Sequence, residues 1–216
     1  MLGIVTHTKD RSEFVIRLLY YYASVKCPYT IYIGDSSGEE HIKKTEAVIE
    51  KLKDRVNVVY RLYPGKDGPT TLNELLDIIG EEYVAFIGDD DYLVPKSLVK
   101  GVSFLEVHPE YYTAQGKGIV FSLDRKGAYG KIESLGEYQQ KDNELETSSE
   151  RLMLYLKEGW NSEFSVHRTK EFIQACEKRD ILPDSGICET LSNSVTFIQG
   201  KSKQIDCLYM FRQVHP

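Results

Sequence analysis

Cysteine is scarce and scattered: Cys27, Cys176, Cys188 and Cys207 form no C-x-x-C pair. Neither a zinc site nor a disulfide framework is signalled, and a reducing cytoplasm is the simplest home. No apolar run approaches the ~20 residues needed to cross a bilayer. The start, Met1-Leu2-Gly3-Ile4-Val5-Thr6, has no basic region, long apolar core or small-residue cleavage site of a secretion signal. Positive charge is in deficit, with 27 Lys and Arg against 33 Asp and Glu for a net charge of -6. That argues against a general nucleic-acid binder, which needs a basic face to neutralise phosphates, and leaves room for a local basic pocket. Repeats, low-complexity segments and convincing linkers are lacking too, so the 216 residues read as one domain over 1–216.

What is present centres on Tyr83-Val84-Ala85-Phe86-Ile87-Gly88-Asp89-Asp90-Asp91. The apolar run Tyr83 to Ile87 predicts a strand buried on both faces, ending at Gly88 and three consecutive carboxylates. Three crowded like charges are unfavourable unless a divalent cation, a ribose hydroxyl pair or a positive neighbour takes up the excess. The competing reading is a solvated turn rich in capping Asp. Pro95 suits the first turn of a following helix, Lys96 to Glu106. In an open α/β sheet, ligands settle at the carboxyl ends of strands, where these side chains would project.

Strands at Leu2 to Thr6, Tyr29 to Gly34, Arg55 to Leu62 and Tyr83 to Ile87 alternate with helices at Ser12 to Ala23, Glu39 to Lys53 and Thr70 or Thr71 to Ile79. This rhythm implies a parallel sheet with right-handed crossovers. Beyond Pro109 it changes. A hairpin is expected from Lys117 to Leu123 and Lys131 to Tyr138, and then an exposed, mobile segment from Gln139 to Ser149. Helices follow at Ser149 to Lys157, Thr169 to Arg179 and Gly186 to Val195, with a strand at Phe164 to Arg168, a loop at Asp180 to Ser185 and a last strand at Lys203 to Phe211. The 15 tyrosines exceed ordinary usage, and most are expected to pack half-buried.

This order of elements resembles the nucleotide-sugar half of GT-A fold glycosyltransferases, in particular the inverting family-2 type, well over Leu2 to about Leu105 and loosely thereafter. The resemblance divides the domain into a nucleotide-sugar-binding half, 1–108, and an acceptor-side half, 109–216. It implies a mostly parallel central sheet flanked by helices. The activity implied is transfer of a sugar from a UDP- or GDP-linked donor to an acceptor hydroxyl, assisted by Mn2+ or Mg2+. The loop after the first strand, Thr6-His7-Thr8-Lys9-Asp10-Arg11, would hold base and diphosphate, with Thr6, Thr8 and Arg11 as contacts. Asp35 at the end of the second strand would touch the base, and Lys66 could meet phosphate. By position relative to Pro95, the resemblance implies that Asp90 would be the metal ligand and Asp89 the ribose contact of a DXD-like motif, with Asp91 an alternative ligand. The commoner first acidic residue of the family falls at Gly88, so the division of labour stays open. His215 is similar to the C-terminal histidine that completes the metal shell in some GT-A enzymes.

A departing diphosphate develops charge that a divalent cation stabilises, and an attacking hydroxyl must lose its proton to a base across the sugar. In the family that base lies in an acidic pair opening a helix. Here no Glu-Asp pair occurs, and Asp184 and Glu189 are the two candidates, either of which could instead serve the helix macrodipole. Trp160 could stack on a sugar or anchor packing. A carbohydrate or lipid-linked acceptor, as in polysaccharide biosynthesis, would fit the family, with room for attachment at the inner face of the membrane and no nucleic-acid partner. A sugar nucleotidyltransferase would need a glycine-rich phosphate loop after the first strand, which His7-Thr8-Lys9-Asp10-Arg11 does not provide. A nucleotide-binding interaction module that has lost catalysis is the other alternative.

Overall fold

The computed structural model describes residues 1–177, 179–181 and 184–215, with backbone alone at 180 and 185. Residues Leu182 and Pro183, part of the loop expected at Asp180 to Ser185, lie outside the described residues. The first half alternates as its hydrophobic periodicity requires: β1 (Leu2–Thr8), α1 (Ser12–Ser24), β2 (Thr30–Asp35), α2 (Glu39–Leu52), β3 (Asn57–Leu62), α3 (Gly68–Leu76) and β4 (Tyr83–Phe86). A two-residue β5 (Tyr92–Leu93) and α4 (Pro95–Val107) follow, with Pro95 in the first helical turn, where its missing N–H is harmless. The second half comprises β6 (Tyr111–Leu123), β7 (Ile132–Tyr138), α5 (Ser148–Glu158), β8 (Val166–Arg168), α6 (Thr169–Cys176), a 3-10 turn (Arg179–Ile181), α7 (Ser185–Gln199) and β9 (Lys201–Gln213).

These strands form one nine-stranded sheet in the order β3-β2-β1-β4-β8-β6-β9-β5, with β7 paired to β6. The half built from β3, β2, β1 and β4 is wholly parallel. The other half is mixed: β8 runs antiparallel to β4 and β6, and β7 antiparallel to β6, whereas β9 runs parallel to β6. The carboxyl ends of β1, β2 and β4 therefore share one edge. Leu2, Ile4, Val5, Ile31, Ile33 and Val84 fill the sheet's interior against Val15, Leu18, Leu19 and Tyr22 of α1 and Leu72 and Leu75 of α3. Fully burying one such aliphatic side chain stabilises by about 1.5–3 kcal/mol, which is what holds the strand ends in register.

Several local expectations are revised. Arg11, not Ser12, is the residue preceding α1; Ser12 is inside the helix, its hydroxyl 2.9 Å from Nδ1 of His41. Asp67 caps α3, its carboxylate accepting from the Thr70 amide. The Gln139 to Ser149 segment is not simply exposed: Asn143 is wholly buried, exchanges backbone hydrogen bonds with Ser202 and donates from Nδ2 to the Arg151 carbonyl. Trp160 is a packing anchor, buried against Tyr155 and Phe197 in a small second core.

Candidate active site

A cleft of about 720 Å³ opens at the carboxyl ends of β1 and β4. One wall is the acidic corner, Gly88 to Asp91, which enters the cleft because β4 ends at Phe86 and the chain must turn before Pro95. The three carboxylates have different partners. Asp89 accepts from the Thr8 hydroxyl at 2.6 Å and lies 3.3 Å from Nη1 of Arg11. Asp90 accepts from Nη2 of Arg11 at 2.6 Å, and its Oδ2 is 2.7 Å from Nε2 of His215. Asp91 accepts the backbone N–H of Gln213 at 2.7 Å and so ties the end of β9 to the corner. A Cβ at Gly88 would lie 2.8 Å from Asp90 Oδ1, so a larger residue there would displace the Asp90 carboxylate.

These partners split the acidities. Burial pushes Asp89 up to about 6, with Arg11 and Thr8 opposing. Burial and the neighbouring Asp90 charge push Asp91 up to about 8. Burial acts upward on Asp90 as well, but hydrogen bonds from Arg11 and His215 outweigh it and hold its carboxyl below the ordinary range. Asp90 is thus the most firmly ionised of the three.

Arg11, just before α1, reaches both carboxylates, with its guanidinium 4.3 Å from the centre of the Phe14 ring. Arg17, in the second turn of the helix, donates to the Asp90 carbonyl at 2.7 Å and so fixes the corner's backbone. His7 faces the cleft with its ring nearly parallel to Phe86. Burial, then Arg179 and Arg11, lower its pKa to about 4, so the imidazole is neutral at neutral pH. Gly68 abuts it so closely that a Cβ there would lie 2.8 Å from the ring.

The opposite wall comes from the second half of the chain. Glu189, in the second turn of α7, lines the cleft half-buried, whereas Asp184 does not line it: its carboxylate caps α7, accepting from the Gly186 and Ile187 amides. Glu163 and Arg179, which the sequence reading passed over, form a buried ion pair at 2.8 Å there.

Of the expected contacts, Thr8, Arg11, Asp89, Asp90, Asp91, Glu189 and His215 line this one cleft. Thr6, Asp35, Lys66 and Asp184 do not. Thr6 is wholly buried within β1. Asp35 is buried with both oxygens taken, by the Ser37 amide and the Tyr60 hydroxyl. Lys66 is paired with Glu74. Among the described residues no helix is long and apolar enough to cross a membrane, and no three His, Cys, Asp or Glu side chains are grouped to hold an ion by themselves.

No protein-family model and no curated protein sequence matches the chain. Solved structures do match in shape. S. aureus TarS 1-349 in complex with UDP-GlcNAc superposes with a TM-score of 0.67 at 15% identity, over 100% of this chain and 59% of that one. A second S. aureus TarS structure gives 0.64 at 15% identity, over 99% of this chain and 36% of that one. The mannosyltransferase PcManGT from Pyrobaculum calidifontis, in complex with GDP-Man and Mn2+, gives 0.60 at 10% identity, over 97% and 56%. The chain therefore spans less than two thirds of each of these structures. At such identities the likeness is one of architecture, and the chain has the GT-A fold.

Proposed function

We propose that the chain is a metal-assisted, inverting glycosyltransferase that moves a sugar from a nucleoside-diphosphate donor to an acceptor hydroxyl. The observation that carries this reading is the pairing, in one cleft, of an acidic corner flanked by Arg11 and His215 with a separate half-buried carboxylate, Glu189, on α7.

The donor chemistry suits a divalent ion. Asp90 Oδ2 and His215 Nε2 converge to 2.7 Å, close to the spacing of ~3 Å between neighbouring ligands of a small octahedral ion. A hard cation that also takes diphosphate and water oxygens needs only one or two protein carboxylates. Asp90 and His215 would hold it, and Asp91 is left to clamp β9. When bound, Mn2+ or Mg2+ supplies Lewis-acid stabilisation of the charge on the departing diphosphate.

The remaining roles fall to the chain's own groups. Arg11, 40% exposed, is free to turn from Asp89 and Asp90 to a phosphate oxygen. Asp89, oriented by Thr8, accepts from ribose hydroxyls. Neutral His7 offers a flat, uncharged face beside Phe86. Glu189 takes the proton of the attacking hydroxyl.

The test is calorimetric titration of UDP and GDP with and without Mn2+, followed by donor hydrolysis or transfer assays. We expect metal-dependent binding that Asp90→Ala abolishes. Binding of neither nucleotide, or the same metal dependence in Asp90→Ala, would overturn the reading. Metal-dependent binding without turnover would instead leave a nucleotide-binding module.

A further inference from the structure

Arg17 does not line the cleft, yet it is bonded to the acidic corner. Gly88 to Asp91 lies between β4 and β5, outside the strand ladders, and so depends on other contacts to hold it. Two of these come from one place, the turn between β6 and β7. The Arg17 guanidinium donates from Nη2 to the Asp90 carbonyl at 2.7 Å and from Nη1 to the Ala128 carbonyl. Gln213 makes a parallel bridge: its backbone N–H donates to the Asp91 carboxylate at 2.7 Å, and its Nε2 donates to the Gly127 carbonyl at 3.1 Å. Consecutive residues of the turn are thus joined to consecutive residues of the corner. The Arg17 guanidinium also lies 5.2 Å from the centre of the Phe14 ring and 5.1 Å from that of Tyr92, so packing restricts it as well. A guanidinium is a rigid fork, and the two carbonyls it joins are held at a fixed separation.

We propose that Arg17 is a positioning residue of the ion site: braced on the β6–β7 turn, it holds the Asp90 peptide where the carboxylate meets His215, and so raises affinity for a divalent cation. The inference rests on the glycosyltransferase reading, in which Asp90 and His215 hold the ion. Arg17 acts on that ion in two ways of opposite sign. Its charge repels a cation and is felt at Asp89, where burial pushes the pKa up and Arg17 is one of the cations that oppose the rise. Its hydrogen bond favours the ion, because a ligand already held in place gives up little freedom on binding. Arg17 meets the backbone of the corner, whereas Arg11 meets its carboxylates. For Arg17 the positioning effect should therefore outweigh the charge.

The experiment measures Mn2+ affinity, alone and with UDP or GDP, from the paramagnetic resonance of the free ion in the wild type, Arg17→Lys, Arg17→Met and Thr147→Ala. Arg17→Lys keeps the charge without the rigid fork, and Arg17→Met loses both. Thr147 caps α5 and lines no part of the cleft, so Thr147→Ala reports what lost stability does by itself. Expected is Mn2+ bound about tenfold more weakly by Arg17→Met, about threefold more weakly by Arg17→Lys, and as in the wild type by Thr147→Ala. Gly127, at a φ of +104°, lies outside the cleft lining. Gly127→Ala strains the turn and should weaken Mn2+ about threefold, and it carries the test if the Arg17 variants fail to fold. Tighter or unchanged Mn2+ binding by Arg17→Met, or an equal loss in Thr147→Ala, would overturn the inference while leaving the glycosyltransferase reading standing. Wild-type protein that binds no Mn2+ under either condition would overturn both.

Discussion

Replacing Arg11 by alanine takes a guanidinium away from the Asp89–Asp90 corner, and its effect on a divalent ion should be opposite in sign to its effect on a nucleoside diphosphate. Nη2 is 2.6 Å from Asp90 Oδ2 and Nη1 is 3.3 Å from Asp89 Oδ1. Unit charges at about 4 Å attract by about 4 kcal/mol at a near-surface dielectric. The Arg11 side chain is 40% exposed, and screening of that kind reduces such a pair to about 1 kcal/mol. An ion seated on Asp90 must displace or share that contact, so Mn2+ alone should bind Arg11→Ala about fivefold more tightly. With Mn2+ saturating, UDP or GDP loses a charge-assisted hydrogen bond of about 1.5–3 kcal/mol, a loss of tenfold or more. Paramagnetic resonance of free Mn2+ reads the first quantity and calorimetry the second. The Mn2+ gain should shrink as salt is raised. Weaker or unchanged Mn2+ binding by the variant would refute the idea that Arg11 and the ion contend for Asp90.

Glu189→Gln should leave donor affinity within about twofold and lower kcat by about 10²–10⁴, as loss of a general base does; an equal fall in affinity would make Glu189 a binding group instead. Asp91 is raised to about 8 by burial and by Asp90, above its unfolded value of ~3.9. The stability it contributes is therefore full below about pH 4 and is lost as pH rises through about 8. Asp91→Asn should flatten that decline in unfolding free energy, and an unaltered slope would remove the carboxyl from the account. Gly68→Ala places a Cβ 2.8 Å from His7 and should lower stability by about 1–3 kcal/mol through overpacking, with weakened nucleotide binding; a thermal midpoint and affinity equal to wild type would show that the start of α3 yields freely.

The first half was legible because its signals are local. Alternating apolar periods set β1 to β4, and an acidic triplet after a buried strand marked the cleft's edge. Helix starts were less legible, since Ser12 competes for an N-cap role with a hydroxyl contact to His41, 29 residues away. Asn143 shows the same limit: a polar residue in a polar stretch reads as solvated until Ser202 supplies its backbone partners. The Glu163–Arg179 pair left no trace at all. Its members are isolated in sequence, and only the packing of the 3-10 turn beside the Asn161–Phe164 loop brings them together. Asp184 and Glu189 could not be separated from the chain alone, because both precede or open the same helix and only the fold decides which of them meets the cleft.

The hydrogen bond from the Gln213 amide to Asp91 joins residues 122 positions apart. The first four strands can therefore form the scaffold but not the pocket, because the clamp on Asp91 comes from the end of β9 and His215 from just beyond it. Ligand competence should accordingly follow that long-range closure, which, rather than the first four strands, governs how soon the cleft can work.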